Sequence, residues 1–220
     1  MTDATFPTQS FVLLDVSVQD KQCASCEEKS IIKASGMIIA RSMSGGNYIL
    51  SAGHACITNL QPSLSYPSAP EDLEIIYRGI SNSNISKLTI LDIDQKNDFC
   101  LLRSDKVLGP PLKIANKKPR HGARVFNLAA PFGTYDGTFT LTFEGFFSGE
   151  DNFGNALYTI PAKAGSSGSP ILDSRNRVVG MIHSATVDME NISISASTAT
   201  LRSYLRYQAL IYGDMDLLIY

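Results

Sequence analysis

Gly165-Ser166-Ser167-Gly168-Ser169-Pro170 follows one apolar stretch, Ala156–Pro161, and precedes another, Ile171-Leu172. Small residues on both sides of Ser167 let the backbone turn tightly, present the hydroxyl and leave amide N–H groups free to face a bound carbonyl. That is what an oxyanion hole requires, at roughly 3–4 kcal/mol per donor. A Gly/Ser string is also an ordinary turn, so the reading depends on partners elsewhere in the chain. A serine hydroxyl is a weak nucleophile near neutral pH; an imidazole must take its proton and a carboxylate must orient that imidazole.

The chain has three histidines. His54 lies in Ser51-Ala52-Gly53-His54-Ala55-Cys56, directly after the apolar run Tyr48-Ile49-Leu50, and so at the end of a strand. His121 falls in a Pro/Gly-rich basic linker and His183 ends the apolar run Val178–Ile182. Among carboxylates, Asp98 opens the apolar strand Phe99-Cys100-Leu101-Leu102, which places it near a barrel interior, whereas Asp92 and Asp94 read as exposed turn residues.

Outward from these segments, short apolar stretches alternate with Gly, Asn, Asp, Ser and Pro. Candidate strands are Phe11–Val18, Ile31–Ala40, Tyr48–Ser51, Glu74–Tyr77, Lys87–Asp92, Phe99–Arg103, Arg124–Ala129, Phe139–Phe147, Ala156–Pro161, Pro170–Asp173, Val178–His183 and Ile192–Ser197. Twelve such pieces predict an all-β fold of one barrel or a pair. Leu201, Tyr204, Leu205 and Leu210 fall at helical spacing, which predicts a C-terminal helix over about 201–212. Gln61–Pro70 reads as a surface loop, and Gly109–Arg120 as a linker between an N-terminal half (about 8–108) and a C-terminal half (about 121–200).

The 220 residues carry 19 Lys plus Arg against 21 Asp plus Glu, with 44% apolar and 18% charged residues. Such a chain has a core to bury and no charge surplus to attract nucleic acid or an anionic membrane. No segment approaches the ~20 apolar residues of a membrane span, and no secretory leader is evident at the N-terminus. Cys23, Cys26, Cys56 and Cys100 are too few and too scattered for a disulfide framework and predict free thiols in a reducing compartment. Cys23-Ala24-Ser25-Cys26 could be half of a zinc site, but no second half is present; no metal or other cofactor is expected.

Taken together, these residues resemble the trypsin/chymotrypsin fold of serine endopeptidases. Ser51–Cys56 is similar to that family's T-A-A-H-C string, Asp98–Leu102 to its D-I-A-L-L, and Gly165–Pro170 to its G-D-S-G-G-P. The likeness is greatest to the compact HtrA-like and glutamyl-endopeptidase branches and spans about residues 33 to 201. It implies two packed six-stranded antiparallel β-barrels and peptide-bond hydrolysis through an acyl-enzyme. Ser167 would be the nucleophile, His54 the general base and then acid, and Asp98 the orienting carboxylate. The N–H groups of Gly165 and Ser167 would form the oxyanion hole. Ala162, Ile182, His183, Ser184 and Ala185 would surround a protein or peptide substrate.

Departures from the family carry information too. No cysteine stands in Gly36–Ala40 to pair with Cys56, so the disulfide of secreted members is absent. The absence of a cleavable Arg/Lys-Ile-Val-Gly start argues against activation by a freed N-terminus. Glutamyl endopeptidases have a histidine two residues after the glycine matched by Gly180; here Ile182 holds that place, and the one-residue shift turns His183 away from the pocket. The pocket walls would be near Pro161 and Ala162, Ile182 to Ala185 and Ser193 to Ser195; with no Asp or Glu among them, a small or medium apolar side chain is the expected specificity. The chain also ends soon after the expected helix, which implies no appended peptide-binding domain. A cytoplasmic location or a phage or virus particle fits these features. A noncatalytic protease-like module and an esterase with the same three residues are the competing readings.

Overall fold

The computed structural model describes residues 6–23, 25–57, 72–137, 139–186 and 191–217; the expected loop Gln61–Pro70 lies outside them. The first barrel is built from β1 (Phe11–Asp20), β2 (Lys29–Ser42), β3 (Asn47–Ala52), β4 (Leu73–Ser81), β5 (Asn84–Asp94) and β6 (Phe99–Ser104). Their order is β1-β4-β5-β6-β3-β2, and antiparallel pairing of β1 with β2 closes the ring. After the two-residue β7 (Lys113–Ile114) come β8 (Arg124–Ala129), β9 (Leu141–Glu150), β10 (Asn155–Tyr158), β11 (Pro170–Leu172), β12 (Arg177–Ala185) and β13 (Ser193–Ala196). These six form a second antiparallel barrel, β11-β8-β9-β10-β13-β12, closed by β11 against β12. The expectation of two six-stranded barrels and one C-terminal helix, α1 (Thr198–Ile211), therefore holds.

Each barrel carries one extra strand that the sequence reading did not include. β7 runs parallel to β12, and β14 (Met215–Leu217) returns from the C-terminus to pair antiparallel with β2 of the first barrel. At two and three residues, both are too short to show an apolar alternation of their own.

Burial explains why the strands read as continuous apolar runs. Val12, Leu14, Ile38, Ile49 and Leu102 fill the first barrel, and Val125, Phe147, Tyr158, Ile171 and Val179 fill the second. A third cluster joins the outer faces, where Phe11, Met37, Leu50 and Phe99 meet Leu128, Leu172, Met181 and α1. In β1, Phe11 and Leu13 face this seam while Val12 and Leu14 face the interior, so both sides of the strand are apolar. Each such side chain contributes about 1.5–3 kcal/mol by leaving water.

The helix starts at Thr198, three residues before the expected Leu201, because the Ser197 hydroxyl accepts from the Thr200 N–H at 3.1 Å and caps the first turn. Leu201, Tyr204 and Leu205 pack into the seam. Asp92, expected as an exposed turn residue, instead lies half-buried on β5 and accepts from Tyr204 Oη and Gln208 Nε2, each at 2.9 Å. Asp94 does hold a turn, accepting from the Lys96 and Asn97 N–H groups.

The expectation of free thiols is overturned. Cys56 and Cys100 form a disulfide, as do Cys23 and Cys26, and there is no free cysteine. Cys56 ends the turn after β3, while Cys100 is the second residue of the adjacent strand β6, where it opposes Ser51. Barrel topology brings them to a Cα separation of 6.3 Å, although 44 residues separate them in the chain. Pairing also removes Cys23 and Cys26 as zinc ligands, and the cysteines no longer argue for a reducing compartment.

Candidate active site

His54 sits in the 3-10 turn Gly53–Ala55 at the end of β3, and Asp98 occupies the turn that opens β6. The two residues are joined at two points, and Gly53 adds a third bond to Asp98. Asp98 Oδ2 lies 2.7 Å from His54 Nδ1, Asp98 Oδ1 accepts from the His54 N–H at 2.7 Å, and the Asp98 carbonyl accepts from the Gly53 N–H at 2.9 Å. Asp98 adopts φ +55°, a left-handed conformation unusual for a residue with a side chain, and these bonds hold it there.

The hydrogen bond to Asp98 raises the His54 pKa above the ordinary imidazole value, against an opposing effect of burial. Burial pushes Asp98 up, but hydrogen bonds from the His54 ring and N–H, with the charges of His54 and His183, outweigh it and leave the carboxyl low. The Asp98 carboxylate thus fixes the ring through Nδ1 and leaves Nε2 available. No described residue hydrogen-bonds to His54 Nε2 or to Ser167 Oγ.

The Ser167 loop is clamped against the first barrel. The Ser167 carbonyl accepts from the Ser35 N–H at 2.8 Å, the Ser35 carbonyl accepts from Ser51 Oγ at 2.7 Å, and Gly168 donates to the Ile182 carbonyl at 2.7 Å. Gly168 has φ +86°, and a Cβ there would lie 2.0 Å from the Ser35 oxygen and 2.9 Å from the Ala52 nitrogen. Only glycine fits this approach, which sets Ser167 beside the end of β3, two residues before His54.

The Ala164–Gly165 amide is oriented by its neighbours. The Ala164 carbonyl accepts from the Phe132 N–H at 2.6 Å, and there is no cis peptide bond in the described chain. In a trans peptide the N–H opposes the carbonyl, so the Gly165 N–H points away from Phe132. The Gly165 carbonyl is held in turn by Ser35 Oγ at 2.7 Å. Neither the Gly165 nor the Ser167 N–H donates to a described residue.

Beside Ser167 is a cavity of about 220 Å³. Ala162, Ile182, Ser184 and Ala185, all named from the sequence, line it with Lys163, Ala164 and Ser166, which sequence reasoning did not place there. His183 does not line it. Its ring lies 3.1 Å from Ser184 Oγ through Nδ1, and burial lowers its pKa while the nearby Asp98 charge opposes that shift. Ser35 was also missed; its only sequence signal is a serine next to Gly36, directly before the apolar run Met37–Ala40.

Comparison with known proteins bears on this arrangement. The trypsin-like peptidase domain family matches residues 34–181, from the strand that holds the Ser167 loop to the strand that follows it. No curated protein matches the chain. Among solved structures, the inactive form of Rv3671c from M. tuberculosis H37Rv is 15% identical, with a TM-score of 0.63 over 91% of this chain and 86% of that one. The active form of the Rv3671c protease superposes with a TM-score of 0.63 at 15% identity, over 90% of this chain and 80% of that one. The serine endoprotease from Yersinia pestis gives a TM-score of 0.66 at 18% identity, over 91% of this chain and 62% of that one. Likeness at this identity speaks for the shared double barrel. The family match covers the three segments that carry His54, Asp98 and Ser167, and on it the chain belongs to the trypsin-like peptidases and is a serine endopeptidase of that kind.

Proposed function

We propose that the chain hydrolyses peptide bonds through a His54–Asp98–Ser167 triad and an acyl-enzyme. The observation that carries this reading is the grip of Asp98 on His54 through both the ring Nδ1 and the backbone N–H, which leaves Nε2 as the ring's free base beside the Ser167 loop. His54 would take the Ser167 proton as Oγ attacks the carbonyl carbon, then deliver it to the leaving amine as the C–N bond breaks. Water activated by the same ring would hydrolyse the ester. The Ser167–His54 contact in such sites is often long at rest and tightens in the substrate complex. The Gly165 and Ser167 N–H groups would hold the oxyanion, and their orientation before substrate arrives is what makes them effective.

Cleavage within a chain, rather than at its end, is supported by depressions on both sides of the loop. The Ile182–Ala185 side holds the cavity of about 220 Å³, and across Ala164 a second of about 380 Å³ is lined by Ile31, Ile32 and Phe132. The first, walled by Ala162, Ala164, Ala185 and Ile182, suits a small or medium side chain. Ser184 and Ala185 would pair with the substrate backbone as an added strand.

A fluorophosphonate probe tests the reading. Labelling of the wild type that disappears in Ser167→Ala supports it, and a folded wild type that neither labels nor cleaves a peptide library would overturn it.

A further inference from the structure

Away from the cleft, a cavity of about 550 Å³ lies between the inter-barrel linker and the first turns of α1. Lys117 and Lys118 enter it from the linker, Arg202 and Arg206 from the helix, and Glu150 from the end of β9. A second cavity, of about 310 Å³, shares Asn116, Lys117 and Lys118 and continues past Pro119 to Asp173 and Arg177. The two adjoin at these shared residues to form one groove, and neither shares a residue with the cavity beside Ser167.

The groove's carboxylates are already engaged. Glu150 pairs with Lys118 Nζ at 2.7 Å, and Asp173 pairs with Arg177 Nη2 at 2.6 Å. Arg202 Nη1 is fixed by two neutral acceptors, the Ala115 carbonyl at 2.9 Å and Asn116 Oδ1 at 3.1 Å, so it is positioned without losing its charge. Lys117 and Arg206 have no ion-pair partner among the described residues. The first cavity therefore carries four cations against one carboxylate, in a chain whose net charge is −2.

The helix bears a cost for this arrangement. Arg202 and Arg206 stand four apart on one face, a like-charge spacing that destabilises a helix by a few tenths of a kcal/mol, and Thr198–Ile211 contains no acidic residue to offset it. Solvated helix faces usually intersperse the two signs. The proximity is felt: burial lowers the Arg202 pKa first, and the Arg206 charge lowers it further.

We propose that this groove docks an acidic stretch of polypeptide, laid along the linker with its carboxylates against Lys117, Arg202 and Arg206. The spread of its cations over two chain segments and two adjoining cavities suits several charges along an extended chain better than one small anion. The choice of a polypeptide rests on the endopeptidase reading; the groove's charge does not.

The test is fluorescence anisotropy of a fluorescein-labelled oligoglutamate peptide with the full chain carrying Ser167→Ala. Binding should weaken as salt rises, and Lys117→Glu with Arg206→Glu should weaken it by about tenfold or more, whereas Lys21→Glu, an exposed change elsewhere, should leave it alone. Arg206→Gln, which removes charge without reversing it, should fall between, with unchanged circular dichroism in every variant. No binding, or binding indifferent to the double reversal, overturns the proposal. So does inorganic phosphate competing at the peptide's own affinity, which would mark a small-anion site, or an oligonucleotide binding more tightly than the peptide. Because Ser167→Ala cannot form an acyl-enzyme, docking succeeds or fails independently of whether the wild type cleaves peptide bonds.

Discussion

Ser35 Oγ donates to the Gly165 carbonyl at 2.7 Å across 130 residues of sequence, and the same oxygen accepts from the Ala130 N–H at 3.1 Å. One fully buried hydroxyl on β2 thereby holds the Gly165 peptide against the first barrel. Ser35→Ala leaves a buried carbonyl and a buried N–H without partners, which should cost about 1–3 kcal/mol in urea unfolding. It should also lower kcat/KM, by less than the roughly 10²–10³-fold of deleting an oxyanion donor outright, because the N–H is loosened rather than removed. An unchanged fluorophosphonate labelling rate in a destabilised variant would show that the bond is structural only.

The Asp98–His54 bond sets a pH dependence. His54 is raised above its ordinary value near 6.5, and it must be neutral to accept the Ser167 proton, so activity should appear as pH rises through that raised value. Asp98→Asn removes the carboxylate that raises it. The acid limb should then move to lower pH while kcat falls by roughly 10⁴-fold, because the ring loses its preferred tautomer. A rate–pH series on both proteins decides this; an acid limb that stays in place would break the link between Asp98 and His54 titration.

The same shifts bear on stability, with opposite signs. A raised His54 stabilises the fold below its unfolded value, and that contribution is lost as pH climbs through the folded one. A lowered Asp98 stabilises above the unfolded carboxylate value and loses its contribution as pH falls through the folded one. The pair should therefore lose its contribution as pH passes either folded value, and contribute most between the ordinary carboxylate and imidazole values. Urea midpoints of wild type and Asp98→Asn should differ most there and converge at both extremes.

Cys56 and Cys100 each stand two residues after His54 and Asp98, so their disulfide closes a loop of 44 residues immediately behind the triad candidates. Chain-entropy reasoning for a loop of that length gives about 4 kcal/mol, with measured values more often about 2–4. Cys56→Ala with Cys100→Ala should lower stability by that amount and reduce activity, since the two segments then depend on hydrogen bonds alone for their register. Equal denaturant midpoints for the double variant and wild type would show that the cross-link does not form.

Asp92 anchors α1 through Tyr204 and Gln208. Asp92→Ala strands both donors, and Gln208 Oε1 is already buried without a partner. We expect a loss of about 2–3 kcal/mol with kcat nearly unchanged, because neither residue lines the cleft. Thermal unfolding and steady-state kinetics on one preparation separate the two effects.

The double barrel was legible because the long strands read as apolar or alternating stretches bounded by turn residues, and the three signatures around His54, Asp98 and Ser167 occur in chain order. What escaped the sequence depends on tertiary approach. The Cys56–Cys100 neighbourhood exists only once β3 and β6 are paired. The parts played by Ser35 and Asp92 depend on which loop or helix arrives beside them, and a single polar residue in a strand carries no sign of that. Lys163 and Ala164 line the cavity because the chain doubles back between Ile160 and Ser166, a turn whose shape follows from contact with Phe132 rather than from local propensity.

The return of β14 to β2, with Asp214 accepting from Tyr48 and Ser42, has a consequence for how the molecule is made. As the chain leaves the ribosome, the first barrel emerges with Tyr48, Leu50, Phe99 and Leu101 still uncovered, because their partners include residues beyond 197. Proteolytic competence is therefore expected only once the residues beyond 197 have been made and have docked. A chain stopped after Ser197 should bind a hydrophobic dye and fail to label with fluorophosphonate; a labelled, compact fragment would refute this order of events.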